Sequence, residues 1–249
     1  MTVTVVSISR EGLPAYVLHG GRDPDRRAAL EPDLSHHGIQ ATWLVDVNVA
    51  DLSPELVGRY YRGRRWLWWR RSSATRRTRF RPLLPQDIAT AISHIETYER
   101  IVEAGAAWTL ILEDDALLAP EFGRLFDEYF ERVPEDADLI FIGSCCGLRI
   151  EHVEPGLHFY RKDHPATKCG DSYLITARAA EIVLRTIVPF VLPIDWELNY
   201  HLKRHDLVVY WLEPPLVRQG SEIGAYESSN PARRSDGQSR GRRSQRTNG

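Results

Sequence analysis

Glu113, Asp114 and Asp115 are three consecutive carboxylates that directly follow an apolar run, Trp108 to Leu112, in which only Thr109 is polar. Side chains alternate along an extended segment, so Glu113 and Asp115 fall on one side and Asp114 on the other. Carboxylates this close repel one another, and unpaired they would be forced toward the protonated form. A hard divalent cation removes that repulsion. Mg²⁺ or Mn²⁺ takes one or two carboxylates and leaves its remaining positions for water and phosphate oxygens. The plain alternative is a solvated acidic turn that caps the next helix.

The flanking elements must put this cluster somewhere useful. The run before it reads as a core strand. The segment Gln86–Gly105 carries Ile88, Ile92, Ile95, Tyr98 and Val102 at spacings of three or four and ends on a glycine, which predicts a helix. Further helices are predicted in "EFGRLFDEYFERV", "ARAAEIVLRTIV" and "IDWELNYHLKRH", and a weaker one after "DPDRR", interrupted by Pro32. Strands are predicted in "AYVLHGG", "ATWLVDV", "DLIFIG", "DSYLIT" and "LVVYWL", with "EPPLVRQGSEIG" as a loop. Strands alternating with helices argue an α/β fold with a mixed, mostly parallel sheet. In such sheets ligands bind beyond the carboxyl ends of the strands, where the acidic trio would stand.

Charge is distributed unevenly over the 249 residues. Arg59 to Arg81 contains ten arginines and no acid, with Trp66, Trp68 and Trp69 among them, and residues 230–249 hold six arginines and one acid. The remaining body has 16 basic against 33 acidic residues. An acidic body with two basic arms is not the footprint of a protein that grips nucleic acid all over. The tail, 230–249, is polar and Arg/Ser/Gly-rich and is expected to be disordered. Residues 59–81 are expected to form a loop or lid. Its tryptophans either stack on sugars and bases or pack on the body. Cys145, Cys146 and Cys169 are an odd number with two adjacent, a poor disulfide framework, so reduced thiols and a cytoplasmic setting are expected. No apolar run is long enough for a membrane-spanning helix, and the first residues lack the pattern of a secretory signal.

"LLPQDIATAISHIETYERIVEAGAAWTLILEDDALL" resembles glycosyltransferase family 25, which includes lipopolysaccharide sugar transferases and collagen galactosyltransferases. The resemblance lies in Leu84 to Ile88, in Ser93-His94 and in Glu113-Asp114-Asp115. It extends more thinly to "YVLHGGRDPDRR", "GDSYLITARAAEIVL", "PIDWEL" and "PPLVRQGSEIG". His19-Gly20 departs from the family's Asn-Leu, and "LPQD" from its usual helix start. The resemblance implies a GT-A-type single nucleotide-sugar-binding domain over residues 1–229, a UDP-sugar donor, a Mn²⁺ or Mg²⁺ cofactor, inversion at the anomeric carbon and a glycan or glycoconjugate acceptor.

On that resemblance Asp115 is expected to ligate the metal directly, with Glu113 beside it on the metal's water or the ribose, and Asp114 completes the donor-side motif. Inversion needs a base for the acceptor hydroxyl. Asp195 is the candidate, with Glu197 and Asp171 as alternatives, and its plain role would be a helix N-cap. Arg26, Ser93, His94, Gln219 and Ser221 are expected around the donor. Without the family pattern they read as a solvated arginine, core or helix polars, and loop polars. The rival class is a nucleic-acid-binding or DNA-modifying protein that uses the basic arms, which could equally rest on an anionic membrane surface. A glycan-binding fold without catalysis is a third reading.

Overall fold

The computed structural model describes residues 4–19, 23–45, 47–63, 82–144, 148, 150–162 and 168–227. The basic tail and almost all of the Arg/Trp-rich segment lie outside them, so the expected lid and disordered tail do too.

The chain runs β1 (Val5–Val6), β2 (Ala15–Leu18), α1 (Pro24–His36), β3 (Ala41–Leu44), α2 (Pro54–Tyr60), α3 (Pro85–Ala104), β4 (Trp108–Glu113), β5 (Ala116–Leu118), α4 (Phe122–Phe130), β6 (Val133–Pro134), β7 (Leu139–Phe141), β8 (Phe159–Arg161), β9 (Ser172–Thr176), α5 (Ala177–Ile187), α6 (Ile194–Arg204), β10 (Val209–Leu212), β11 (Val217–Gln219) and α7 (Gly220–Ile223). A seven-stranded sheet is ordered β3-β2-β4-β9-β7-β10-β8. Five of these strands point one way, and β9 and β8 run against them. The mixed, mostly parallel sheet expected from the sequence is therefore present.

Alternation along the strands builds two cores. Ile111, Leu139, Phe141, Tyr173, Ile175, Val209 and Trp211 face α3, α5 and α6. Val17, Leu110, Leu112, Ile140, Leu174 and Leu212 face α1 and α4. The 20-residue α3 begins with Pro85 at its first turn, where a missing N–H costs nothing. The Asp87 carboxylate accepts from the Leu84 N–H (3.0 Å), and Gly105 closes the helix at φ 64°, a conformation glycine adopts without strain. Thr176 caps α5 by accepting from Ala179 N–H (3.1 Å). In α1, Pro32 sits inside the helix without ending it.

The chain leaves β2 to pair β3 on one side and returns to place β4 on the other. The crossover helices α1 and α3 lie on opposite faces. The strand order thus reverses at β2, and the crevice where α/β sheets take ligands opens at the carboxyl ends of β2 and β4. Because α6 leads back into β10, its first turn stands at the same edge.

Candidate active site

Glu113 is the last residue of β4 and continues the alternation of Ile111, so it turns toward α3. There the Glu113 Oε1 lies 3.6 Å from His94 Nε2. The Glu113 N–H donates to Asp171 C=O (2.8 Å), which places the start of β9 beside it. Asp114 turns the other way. It accepts from Arg26 (2.7 Å) and bonds His19 Nδ1 (2.8 Å) at the end of β2. Arg26 also donates to the Glu227 carbonyl (2.7 Å) and lies over the Tyr226 ring. Arg26 and Asp114, both expected at the donor, are therefore engaged with each other and staple the end of the described chain to the site. His19, the departure from the family pattern, orients Asp114 together with Arg26.

Asp115 is only 3 % exposed. The Ser221 N–H donates to its Oδ2 (3.2 Å), and Gly220 N–H donates to its carbonyl (2.7 Å). The Oδ1 is buried with no hydrogen-bond partner. Burial, and then the charge of Glu113, push the Asp115 carboxyl up to about 6, against the pull of Ser221 and Arg26. Asp171, 1 % exposed, repeats the pattern. Ser172 Oγ–H donates to its Oδ2 (2.8 Å) and its Oδ1 is unpartnered. Burial and Glu113 push its carboxyl well above the ordinary range. Two glycines make this packing possible: a Cβ at Gly143 would collide with Ser172 and Asp171, and one at Gly220 with the Tyr226 ring and the Asp115 carbonyl.

The segment read as a closing loop is instead β11 followed by the single turn α7. β11 pairs antiparallel with β5, which sets Gln219 opposite Ala116. Gln219 Nε2 reaches Glu113 Oε2 at 3.5 Å. Gln219 and Ser221 are thus brought to the acidic cluster. Ser93 donates its hydroxyl to Ala89 C=O within α3 (3.0 Å). His94 is fully buried and meets the cluster through Glu113. Its Nδ1 bonds the Tyr173 hydroxyl (2.9 Å), which bonds the Tyr98 hydroxyl (2.7 Å). Tyr98 is legible in the sequence only as part of the apolar stripe.

The two carboxylates of α6 part company. Asp195 is partly exposed in the first turn, and its Oδ1 accepts from Trp196 N–H (2.9 Å). Glu197 is 0 % exposed. Its Oε1 accepts from the backbone N–H of Val191 (2.6 Å) and Leu192 (2.9 Å). Glu197, expected as an alternative base, is thus engaged in tying down the loop before α6. Trp196, beside Asp195, is 39 % exposed, a feature sequence reasoning passed over.

A second correction concerns the thiols. Cys169, two residues before Asp171, is in a disulfide, while Cys145 and Cys146 lie outside the described residues. Cys169 is therefore not the reduced thiol expected from the sequence. No helix among the described residues is long and apolar enough to cross a membrane.

The sequence model described as glycosyltransferase family 25 (LPS biosynthesis protein) matches residues 16–197, well over half of the chain. The chain belongs to glycosyltransferase family 25. As a family 25 glycosyltransferase it transfers a sugar from a nucleotide-sugar donor to an acceptor. The match spans β2, α3, the acidic cluster and Asp195. Among curated proteins none matches the chain. A solved structure, the crystal structure of A197 from STIV, is 15 % identical over 82 % of this chain and 83 % of that one, at a TM-score of 0.40, too slight a likeness to assign a fold family.

The cation that the family 25 resemblance implies would draw on the carboxylates of this cluster. Asp115 and Asp171 each bury a carboxylate oxygen without a hydrogen bond, and hard oxygen donors are what Mg²⁺ and Mn²⁺ prefer. Among the described residues no group of three or more His, Cys, Asp and Glu side chains is arranged to hold a metal ion by itself. The carboxylates of Asp115 and Glu113 are the ones that could hold it, with other positions left to phosphate and water.

Proposed function

We propose that this family 25 enzyme is an inverting, cation-dependent hexosyltransferase of the GT-A type. It moves galactose or glucose from a UDP-sugar to a hydroxyl of a glycan or glycoconjugate, within a single domain spanning residues 1–229. The observation that carries the reading is the buried Asp115 carboxylate beside Glu113, one of whose oxygens has no hydrogen-bond partner, at the carboxyl edge of the sheet where its strand order reverses.

Asp115 and Glu113 hold Mn²⁺ or Mg²⁺ in this reading. When bound, the cation would stabilise the charge that builds on the departing diphosphate, which is stabilisation used most in the transition state. Gln219 orients Glu113, and the Ser221 N–H orients Asp115. The α7 turn, held by Tyr226 and Arg26, shields the cluster from water.

Asp195 accepts the proton of the attacking hydroxyl, a contribution of typically ~10²–10⁴-fold. It stands in the first turn of α6, at the sheet edge that carries the acidic cluster, and is reachable from solvent. The exposed Trp196 offers a flat apolar face for a sugar ring of the acceptor. Contacts of the basic arms with anionic lipid or nucleic acid are a further proposal, carried by the sequence alone.

The test is UDP release from a panel of UDP-sugars with Mn²⁺. Turnover of one hexose donor, lost in Asp115→Asn, supports the reading. No donor turned over by the wild-type enzyme, with or without acceptor, sinks it.

A further inference from the structure

We infer that Tyr98, Tyr173 and His94 form a buried positioning relay that fixes the tautomer of His94 and presents its Nε2–H to Glu113. This deepens the proposed cation site and rests on that reading for its functional consequence. His94, Tyr98 and Tyr173 are all fully buried. The Tyr173 hydroxyl touches two partners, Tyr98 Oη at 2.7 Å and His94 Nδ1 at 2.9 Å. Each hydroxyl has one hydrogen to give.

If Tyr98 donates to Tyr173, Tyr173 gives its own hydrogen to Nδ1. The neutral ring then carries its proton on Nε2, which faces Glu113 Oε1 at 3.6 Å. The opposite order sends Nδ1–H to Tyr173 and Tyr173 to Tyr98. It also points a bare Nε2 lone pair at a carboxylate. Among the described residues Nε2 has no other hydrogen-bond partner, so only the first order gives every buried hydrogen an acceptor or a facing anion. Burial raises the hydroxyls of both tyrosines above their ordinary range, so both keep their hydrogens.

The consequence is geometric. Glu113 Oε1 faces a donor held from below by two rings packed in the core, and Oε2 faces Gln219 Nε2 at 3.5 Å. The carboxylate is clasped between them. His94 is a positioning residue: it never touches the donor but sets where Glu113 stands, as second partners of ligating side chains do.

The test begins with ¹⁵N-histidine correlation spectra of the wild-type enzyme at pH 7.5 with divalent ions chelated, His94 being assigned by its absence in His94→Gln. The inference predicts a neutral Nε2–H tautomer. An Nδ1–H tautomer or an imidazolium overturns it. A second arm measures Mn²⁺ binding by calorimetry together with kcat and KM. His94→Gln, which returns an N–H near the place of Nε2–H, stays close to wild type, and His94→Leu loses roughly 10–100-fold in Mn²⁺ affinity. His94→Leu, shown folded by circular dichroism, binding Mn²⁺ as tightly as wild type overturns the relay. A wild-type enzyme that shows the Nε2–H tautomer but binds neither Mn²⁺ nor UDP would fail the proposed function and leave the relay standing.

Discussion

Asp115→Asn should make the cation-free enzyme more stable while removing its activity. The side chain is 3 % exposed, its Oδ2 accepts from Ser221 N–H, and its Oδ1 faces the cluster without a partner. Asparagine keeps the acceptor for Ser221 and replaces the orphaned anionic oxygen with a donor beside Glu113. The folded carboxyl titrates at about 6 against an ordinary 3.8. A raised carboxyl means that the folded state holds its proton more tightly than the unfolded one. Stability is therefore fully retained below about pH 4 and lost as pH rises through about 6. A rise from 3.8 to about 6 corresponds to about 3 kcal/mol at pH 7.5, falling to about 1 kcal/mol at pH 4.5. At roughly 2–4 °C per kcal/mol for a chain of this size, the variant should melt about 6–12 °C higher than wild type at pH 7.5 and only a few degrees higher at pH 4.5. Thermal unfolding in chelator at the two pH values measures this directly. A variant that melts lower than wild type at pH 7.5, or a difference that does not change with pH, refutes the electrostatic reasoning.

Asp195→Asn should lower kcat by roughly 10²–10⁴-fold with little change in melting temperature. Glu197→Gln should do the reverse, weakening the bonds to Val191 and Leu192 and costing about 1–3 kcal/mol of stability; comparing kinetics and melting of the two variants checks the assignment. Gly220→Ala should displace Tyr226 or the Asp115 carbonyl, costing about 1–3 kcal/mol and lowering UDP affinity, read by calorimetry. Trp196→Ala should raise the acceptor KM while UDP release without acceptor stays unchanged, which steady-state kinetics resolves.

Six of the seven strands of the sheet were legible because they are apolar runs with clear boundaries, and the long helices because they carry a regular stripe. The elements that escaped, β1, β5, β6, β8, β11, α2 and α7, have seven residues or fewer. A stretch that short, held by pairing with a distant segment, leaves no periodicity to read. β11 illustrates this: Val217 to Gln219 become a strand only because Ala116 to Leu118 lie opposite. In the site, alternation along β4 sets Glu113 on the face of Ile111, whereas Asp114 and Asp115 form the turn between β4 and β5, where alternation no longer applies. Whether Arg26 would meet a phosphate or an aspartate could not be read, because its partner lies 88 positions away. The fates of Asp195 and Glu197 were equally hidden. Both sit in one helical turn, and only the path of residues 191–193 decides which is buried.

In the proposed reaction Glu113 and Asp115 hold a divalent cation which would in turn hold the donor's diphosphate. Calorimetric titration of UDP into the wild-type enzyme, with Mn²⁺ and then with chelator, tests it most directly. Binding that requires Mn²⁺ and disappears in Asp115→Asn is the predicted result. UDP binding with the same affinity in chelator as in Mn²⁺, or unaltered in Asp115→Asn, would contradict it.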